Sequence, residues 1–384
     1  MDEHEALVLL SECVNINTAN PPGDESRLTN VLARRLGAAG VAVATHPLSP
    51  GRANLLARLP GAGERPALIL SGHTDTVGPG EMPWQHDPWS ARIAGDRLYG
   101  LGACDMKSGL AAMAMAMILL QRTGVRLRGD LVLAASAGEE VDALGARAFV
   151  TSGTLAGAGA MVVGEPTGGD VAVVHKGGAH LAVTVSGRTA HGSMPDQGVN
   201  AILRMQQVIG RLQAVRLPGP AHALLGAPTL SINTIHGGSA VNVVPDRCYI
   251  NVDIRTIPGH DNDDLVRSIR AAVDDLGFPV EIAVAASMPP VETDPGLPIV
   301  QAALNLAARI SGQSKPAGAV PYVTDASVYQ PALRIPVILF GPGEARLAHQ
   351  PDEWVAVPKY LDAIRFYMAL AQAHLGEPLP LFPR

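Results

Sequence analysis

The chain has 384 residues, 47% of them hydrophobic, and a formal charge of −6. That length supports cores in more than one domain, and the acidic balance leaves no electrostatic footprint for nucleic acid. No stretch approaches the roughly twenty apolar residues of a membrane helix, and the acidic start Met1-Asp2-Glu3-His4-Glu5 is unlike a signal peptide, so a cytoplasmic protein without membrane partners is expected.

Residues 3–14 and 26–39 read as helices, the second closed by Gly40, with the loop Pro21-Pro22-Gly23-Asp24-Glu25 between them. A short strand covers 54–59. The continuous apolar run 67–75 then suits a strand covered on both faces, with His73 at its carboxyl end. A glycine-punctuated turn, Tyr99-Gly100-Leu101-Gly102-Ala103-Cys104-Asp105, follows and feeds helix 106–121, whose run 110–120 is almost wholly Ala, Met, Leu and Ile. Asp105 therefore sits where interior meets cavity, either capping that helix or facing a cation. The strand pattern recurs. Strand 130–135 leads into Ala137-Gly138-Glu139-Glu140, strand 160–164 into Glu165-Pro166-Thr167, and strand 336–340 into Gly341-Pro342-Gly343 and on to His349. Helices 143–152 and 297–310 lie between.

Strands alternating with helices predict an α/β fold built on a doubly wound, mostly parallel sheet. In such sheets ligands sit beyond the carboxyl ends of the strands. His73, Glu139, Glu140, Glu165 and, a little further on, His349 all fall there. Between 177 and 292 the grammar changes to strand 179–186, helix 199–215, strands 229–235 and 246–255, helix 262–276 and strand 279–286. That order is ferredoxin-like. The expected organisation is a discontinuous metal-binding catalytic domain, 1–176 and 293–384, interrupted by an α+β lid and dimerisation domain, 177–292. A free sheet edge with a helix alongside favours pairing with a second copy, so a homodimer is expected.

A pair of divalent ions needs imidazole and carboxylate ligands, a carboxylate bridge and a shared water. His73 with Glu165 would hold one ion, Glu140 with His349 the other, and Asp105 both. Oxygen and nitrogen donors without thiolate suit Zn²⁺, with Co²⁺ or Mn²⁺ able to substitute. Cys13, Cys104 and Cys248 are too scattered for a thiolate site or a disulfide framework. Asp75 has the reach to accept the other ring N–H of His73, or to bond its own backbone in a turn. Glu139, pointing away from its neighbour Glu140, would take a proton from the shared water and hand it to a leaving amine.

The successive motifs Gly72-His73-Thr74-Asp75-Thr76-Val77, Asp105-Met106-Lys107, Glu139-Glu140, Gly164-Glu165-Pro166-Thr167 and Ala348-His349-Gln350-Pro351-Asp352-Glu353 resemble those of the M20 metallopeptidase family. More closely they resemble its acetylornithine deacetylase and succinyl-diaminopimelate desuccinylase branch. Ser108 is a departure, standing where a glycine commonly follows the lysine. The resemblance implies the same ligands, Glu139 as general base and a cis peptide after Asp105. It also implies that His191, in Gly187-Arg188-Thr189-Ala190-His191-Gly192, reaches the partner subunit's active site and helps bind the developing oxyanion. Asn242 and Arg255 resemble positions for substrate polar groups and carboxylate, although Arg255 could instead pair with Asp253 or Asp246. Gly341 and Gly343 would let backbone approach the substrate. The activity implied is hydrolysis of the amide bond of an N-acyl-L-amino acid. The alternative is an aminoacylase, dipeptidase or carboxypeptidase of the same family, acting on dipeptides or other N-acyl amino acids.

Overall fold

The computed structural model describes residues 2–217 and 219–376. They divide into two units. One draws on the chain up to Val174, Glu292–Val320 and the chain from Thr324; the other is His175–Val291 with Pro321–Val323.

In the first unit the sheet runs, edge to edge, Ala42–Ser49, Arg52–Leu59, Leu131–Ser136, Ala67–His73, Ala158–Val163, Val337–Leu339, Ala172–His175 and Val291–Glu292, with Gly318–Val320 beside Ala172–His175. Its centre is parallel: Ala67–His73 lies between Leu131–Ser136 and Ala158–Val163, and Val337–Leu339 continues in the same sense. The pairings of Arg52–Leu59 with Leu131–Ser136 and with Ala42–Ser49 are antiparallel. Central strands such as Leu131–Ser136 are buried along their whole length, which is why they read as unbroken apolar runs. The helix Lys107–Thr123 is buried at nearly every position and shares one core with Val357–Leu375 and Glu3–Val14. Asp2 opens Glu3–Val14 by accepting the N–H of His4 at 2.9 Å.

The second unit is an antiparallel sheet in the order Thr229–Gly237, Arg247–Thr256, Gly177–Ser186, Val280–Met288, with helices Ala201–Ala214 and Asn262–Val273. Alternation along Gly177–Ser186 turns Ala179, Leu181, Val183 and Val185 inward, onto Met205, Val208 and Leu212 of one helix and Ile269 of the other. Chain order and strand order together are those of a ferredoxin-like fold. The cysteines Cys13, Cys104 and Cys248 are buried free thiols. Among the described residues no helix is long and apolar enough to cross a membrane.

Candidate metal centre

Strand register assembles the site. His73 ends its strand opposite Ser136, and Ser136 is followed at once by the turn that carries Glu139 and Glu140. On the other side Ser71 lies opposite Val163, the residue before Gly164-Glu165. Parallel pairing thus delivers three loops to one edge of the sheet. Asp105 arrives separately, on the turn before Lys107–Thr123. That helix lies close on the strand ends because Gly109 has no side chain: a Cβ there would stand 2.1 Å from the Gly164 carbonyl oxygen. The Asp105–Met106 peptide is cis, as the motif implies.

The side chains converge as follows. His73 Nε2 lies 3.1 Å from Asp105 Oδ1 and 3.9 Å from Glu165 Oε1. His349 Nε2 lies 3.2 Å from Glu140 Oε1 and 3.6 Å from Asp105 Oδ2. Asp105 therefore turns one oxygen toward each histidine, and ligand atoms of His73, Asp105 and Glu140 all lie within 4.8 Å of one another. Cys104, next in sequence, donates its thiol to the Glu344 carbonyl at 3.1 Å and adds no sulfur to the donor set.

So many carboxyl groups in a buried space are hard to keep ionised. Burial, then the charges of Glu165 and Glu140 against the opposing pull of His73, push Glu139 well above the usual carboxylate range. Burial and Asp105 do the same to Glu165. Burial alone would depress His73, but Asp105, Glu165 and Glu139 hold it well above its ordinary value. The hydrogen bond to Glu140 raises His349 to about 9. With Glu139, Glu165, His73 and His349 all holding on to protons, this is a cluster in which cations can replace protons. The donor set, imidazole and carboxylate without thiolate, fits Zn²⁺.

Around these groups lies a supporting layer, of which the sequence motifs mark only Asp75. The second ring nitrogen of His73, Nδ1, is 3.0 Å from the Asp75 backbone carbonyl and 3.6 Å from its carboxylate, so the carbonyl fixes the ring. The carboxylate is engaged elsewhere. It accepts the N–H groups of Gly138 at 3.0 Å, Glu139 at 3.1 Å and Glu140 at 3.2 Å, and the Asn20 side-chain amide at 3.0 Å. Asp75 is thus the clamp of the glutamate turn. Asn54 holds the same loop at both ends, accepting from Ala137 N–H at 3.0 Å and donating to the Gly145 carbonyl at 2.8 Å. Beside it on the strand, Arg52 grips the fully buried Glu25 at 2.7 Å. Asp325, which burial raises to about 6, accepts from Ser136 Oγ at 2.6 Å. These ties join residues far apart in sequence.

The glycines singled out earlier have a structural reason of their own. A Cβ on Gly341 would stand 2.3 Å from the Gly164 carbonyl oxygen, and one on Gly343 would stand 2.2 Å from that of Cys104. Both allow backbone to pass close to the turns that carry the candidate ligands. The remaining candidates belong to the second unit. There His191 is exposed, its Nδ1 2.7 Å from Ser193 Oγ, and its strand-like bridge to Val243 brings it beside exposed Asn242. Gly192 N–H donates to the Asn242 carbonyl at 2.7 Å. Arg255 Nε lies 3.0 Å from Asp253.

Comparison with known proteins agrees with this geometry. The chain is 29% identical to a probable succinyl-diaminopimelate desuccinylase of Staphylococcus epidermidis, over 98% of this chain and 99% of the relative. It is 33% identical to an acetylornithine deacetylase of Photorhabdus laumondii, over 85% of each. Among solved structures, an M20 family metallo-carboxypeptidase from Sulfolobus solfataricus superposes with a TM-score of 0.82 at 19% identity, covering 97% of this chain and 99% of that one. The aminopeptidase PepT of Bacillus cereus gives 0.78 at 22%, with the same coverage. Residues 69–373 match peptidase family M20/M25/M40, so the chain, a metal-dependent hydrolase of amide bonds by its kinship, belongs to that family.

Proposed function

We propose that the protein is a dinuclear metal amidohydrolase that removes the acyl group from N-acyl-L-amino acids, acting in the cytoplasm as a homodimer. His73 and Glu165 would hold one ion, Glu140 and His349 the other, and Asp105 would bridge them. Bound there, the ions would supply Lewis acidity to the scissile carbonyl and to a water. Glu139, left over from the ligand set and beside it, accepts the proton of that water and returns it to the departing amine nitrogen. The clamp of Asp75 on the glutamate turn keeps Glu139 and Glu140 facing different ways. His191, Asn242 and Arg255 are the groups offered to the oxyanion, the polar atoms and the carboxylate of the substrate.

One observation carries this reading: the two oxygens of Asp105 face different histidines, each with its own glutamate. The names of the curated relatives favour a deacylase. The alternative, a peptidase of the same family, is supported by the names of the structural neighbours, which are more distant in sequence. The homodimer is proposed because the edge strand Thr229–Gly237 pairs on one side only and is largely exposed. Equilibrium sedimentation decides that point, and a monomer at working concentration would end it. For the activity, protein loaded with Zn²⁺, Co²⁺ or Mn²⁺ is offered a panel of N-acyl amino acids and dipeptides while free amine and bound metal are measured. Release from acylated amino acids is expected. Bound ions with no amide cleaved in either class would sink the proposal.

A further inference from the structure

Glu353 has no part in the ligand set or in the proton transfer, yet it is only 1% exposed. A carboxylate so deep needs donors. Its Oε1 accepts two of them, the backbone N–H of Cys104 at 2.7 Å and that of Asp105 itself at 3.0 Å. The main chain adds a second tie, because Gly100 N–H donates to the Glu353 carbonyl at 2.9 Å. Trp354–Ala356, starting at the next residue, pairs antiparallel with Arg97–Tyr99, the strand that runs into the Asp105 turn. The segment just before Glu353 carries His349, the histidine that faces Asp105 Oδ2 at 3.6 Å. Glu353 stands where the segment bearing one ligand is bonded to the segment bearing another.

We infer that Glu353 is a positioning residue, which fixes the backbone of Asp105 so that its carboxylate spans the two histidines. Neither an ion nor a substrate is touched. The inference rests on the dinuclear reading above, since an aspartate with one partner would not need such aim. A side chain that merely quiets buried N–H groups would affect stability and leave the affinity of the folded protein for metal alone.

The test compares Glu353→Leu, which keeps bulk and removes the acceptor, with Glu353→Gln, which keeps an acceptor oxygen of the same reach. Wild type and Asp105→Asn are the references. Each protein is stripped of metal and titrated with Zn²⁺ against a chromophoric chelator, and the Tm of the stripped form is recorded. Glu353→Leu should lose on the order of 10- to 100-fold in Zn²⁺ affinity, the usual effect of removing a group that orients a ligand, while Glu353→Gln should stay within about threefold of wild type. Folded Glu353→Leu with wild-type affinity overturns the inference and leaves the dinuclear reading standing. If Glu353→Leu does not fold, Glu353→Gln decides: a loss as large as that of Asp105→Asn means that charge, not aim, is what Glu353 supplies. Should wild type take up no ions, or Asp105→Asn bind them equally well, the dinuclear reading falls and the inference with it.

Discussion

The two units hold their candidate residues in opposite ways. In the first, His73 and Glu165 are almost wholly buried and Asp105 and Glu140 nearly so, with His349 the exposed member of the set, and the turns beneath them are fixed by buried acceptors such as Asp75. In the second, His191 and Asn242 are exposed, and Arg255 is half-buried against Asp253. A cage set in advance loses little freedom when it binds an ion, whereas exposed side chains keep theirs until something orders them. The difference makes the first unit the preorganised one, and under the proposed function it leaves the second to respond to substrate.

That division can be attacked at several depths. The largest effect is expected from Glu139→Gln, which should lower kcat on the order of 10²- to 10⁴-fold while metal analysis finds the ions still bound. Lost ions would mean that Glu139 and Glu140 have exchanged roles. Next comes Arg52→Ala, which strands the fully buried Glu25. Breaking a buried pair on one side costs about 3–5 kcal/mol, read by urea denaturation, and a cost near zero would show that the glutamate turn has no such footing. For His191→Ala in the second unit, kcat should fall about 10²-fold, as for an oxyanion donor, with Tm and metal content unchanged. Altered metal content there would erase the contrast between the units.

A gentler probe is pH. Burial holds His175, at the start of the second unit, down to about 4 from 6.5, against the opposing hydrogen bond at the Lys176 carbonyl. The unfolded chain then binds a proton that the folded one refuses, so this contribution is complete above pH 6.5 and is lost as pH falls toward 4. At most about 1.4 kcal/mol per pH unit is at stake. His175→Gln should flatten that stretch of a stability profile, and an unaltered slope would assign the acid sensitivity to other groups.

Much of this was legible because buried strands write themselves plainly. Leu131–Ser136 and Ala67–His73 are apolar at almost every step, and the candidate metal-binding residues His73, Glu139 and Glu140 stand at or just past their ends. The strand Ala42–Ser49 is not legible: it is an exposed edge containing Pro47, and it exists because Arg52–Leu59 lies beside it to pair with. The helix Val357–Leu375 has a proline in its first turn but is buried on most sides in its second half, so no one-sided stripe marks it. At the site, the imidazole and carboxylate groups that converge could be picked out in the sequence. The uses of Asp75, Asn54 and Glu353 could not, because each serves backbone N–H or carbonyl groups, and every residue carries those.

One feature of the sheet bears on how the protein is built. Ala172–His175 and Val291–Glu292 are neighbouring strands, and Thr293 N–H donates to the Val173 carbonyl at 2.8 Å. From the standpoint of the host sheet, everything between them is a single excursion, and the entropy of closing an excursion grows only slowly with its length. Splicing Val174 to Glu292 through a short glycine-rich turn should leave Zn²⁺ uptake unchanged in a metal titration, and a spliced chain unable to take up Zn²⁺ would show the host to depend on its guest. Such a layout lets a lineage exchange the guest for another while the host sheet stays as it was.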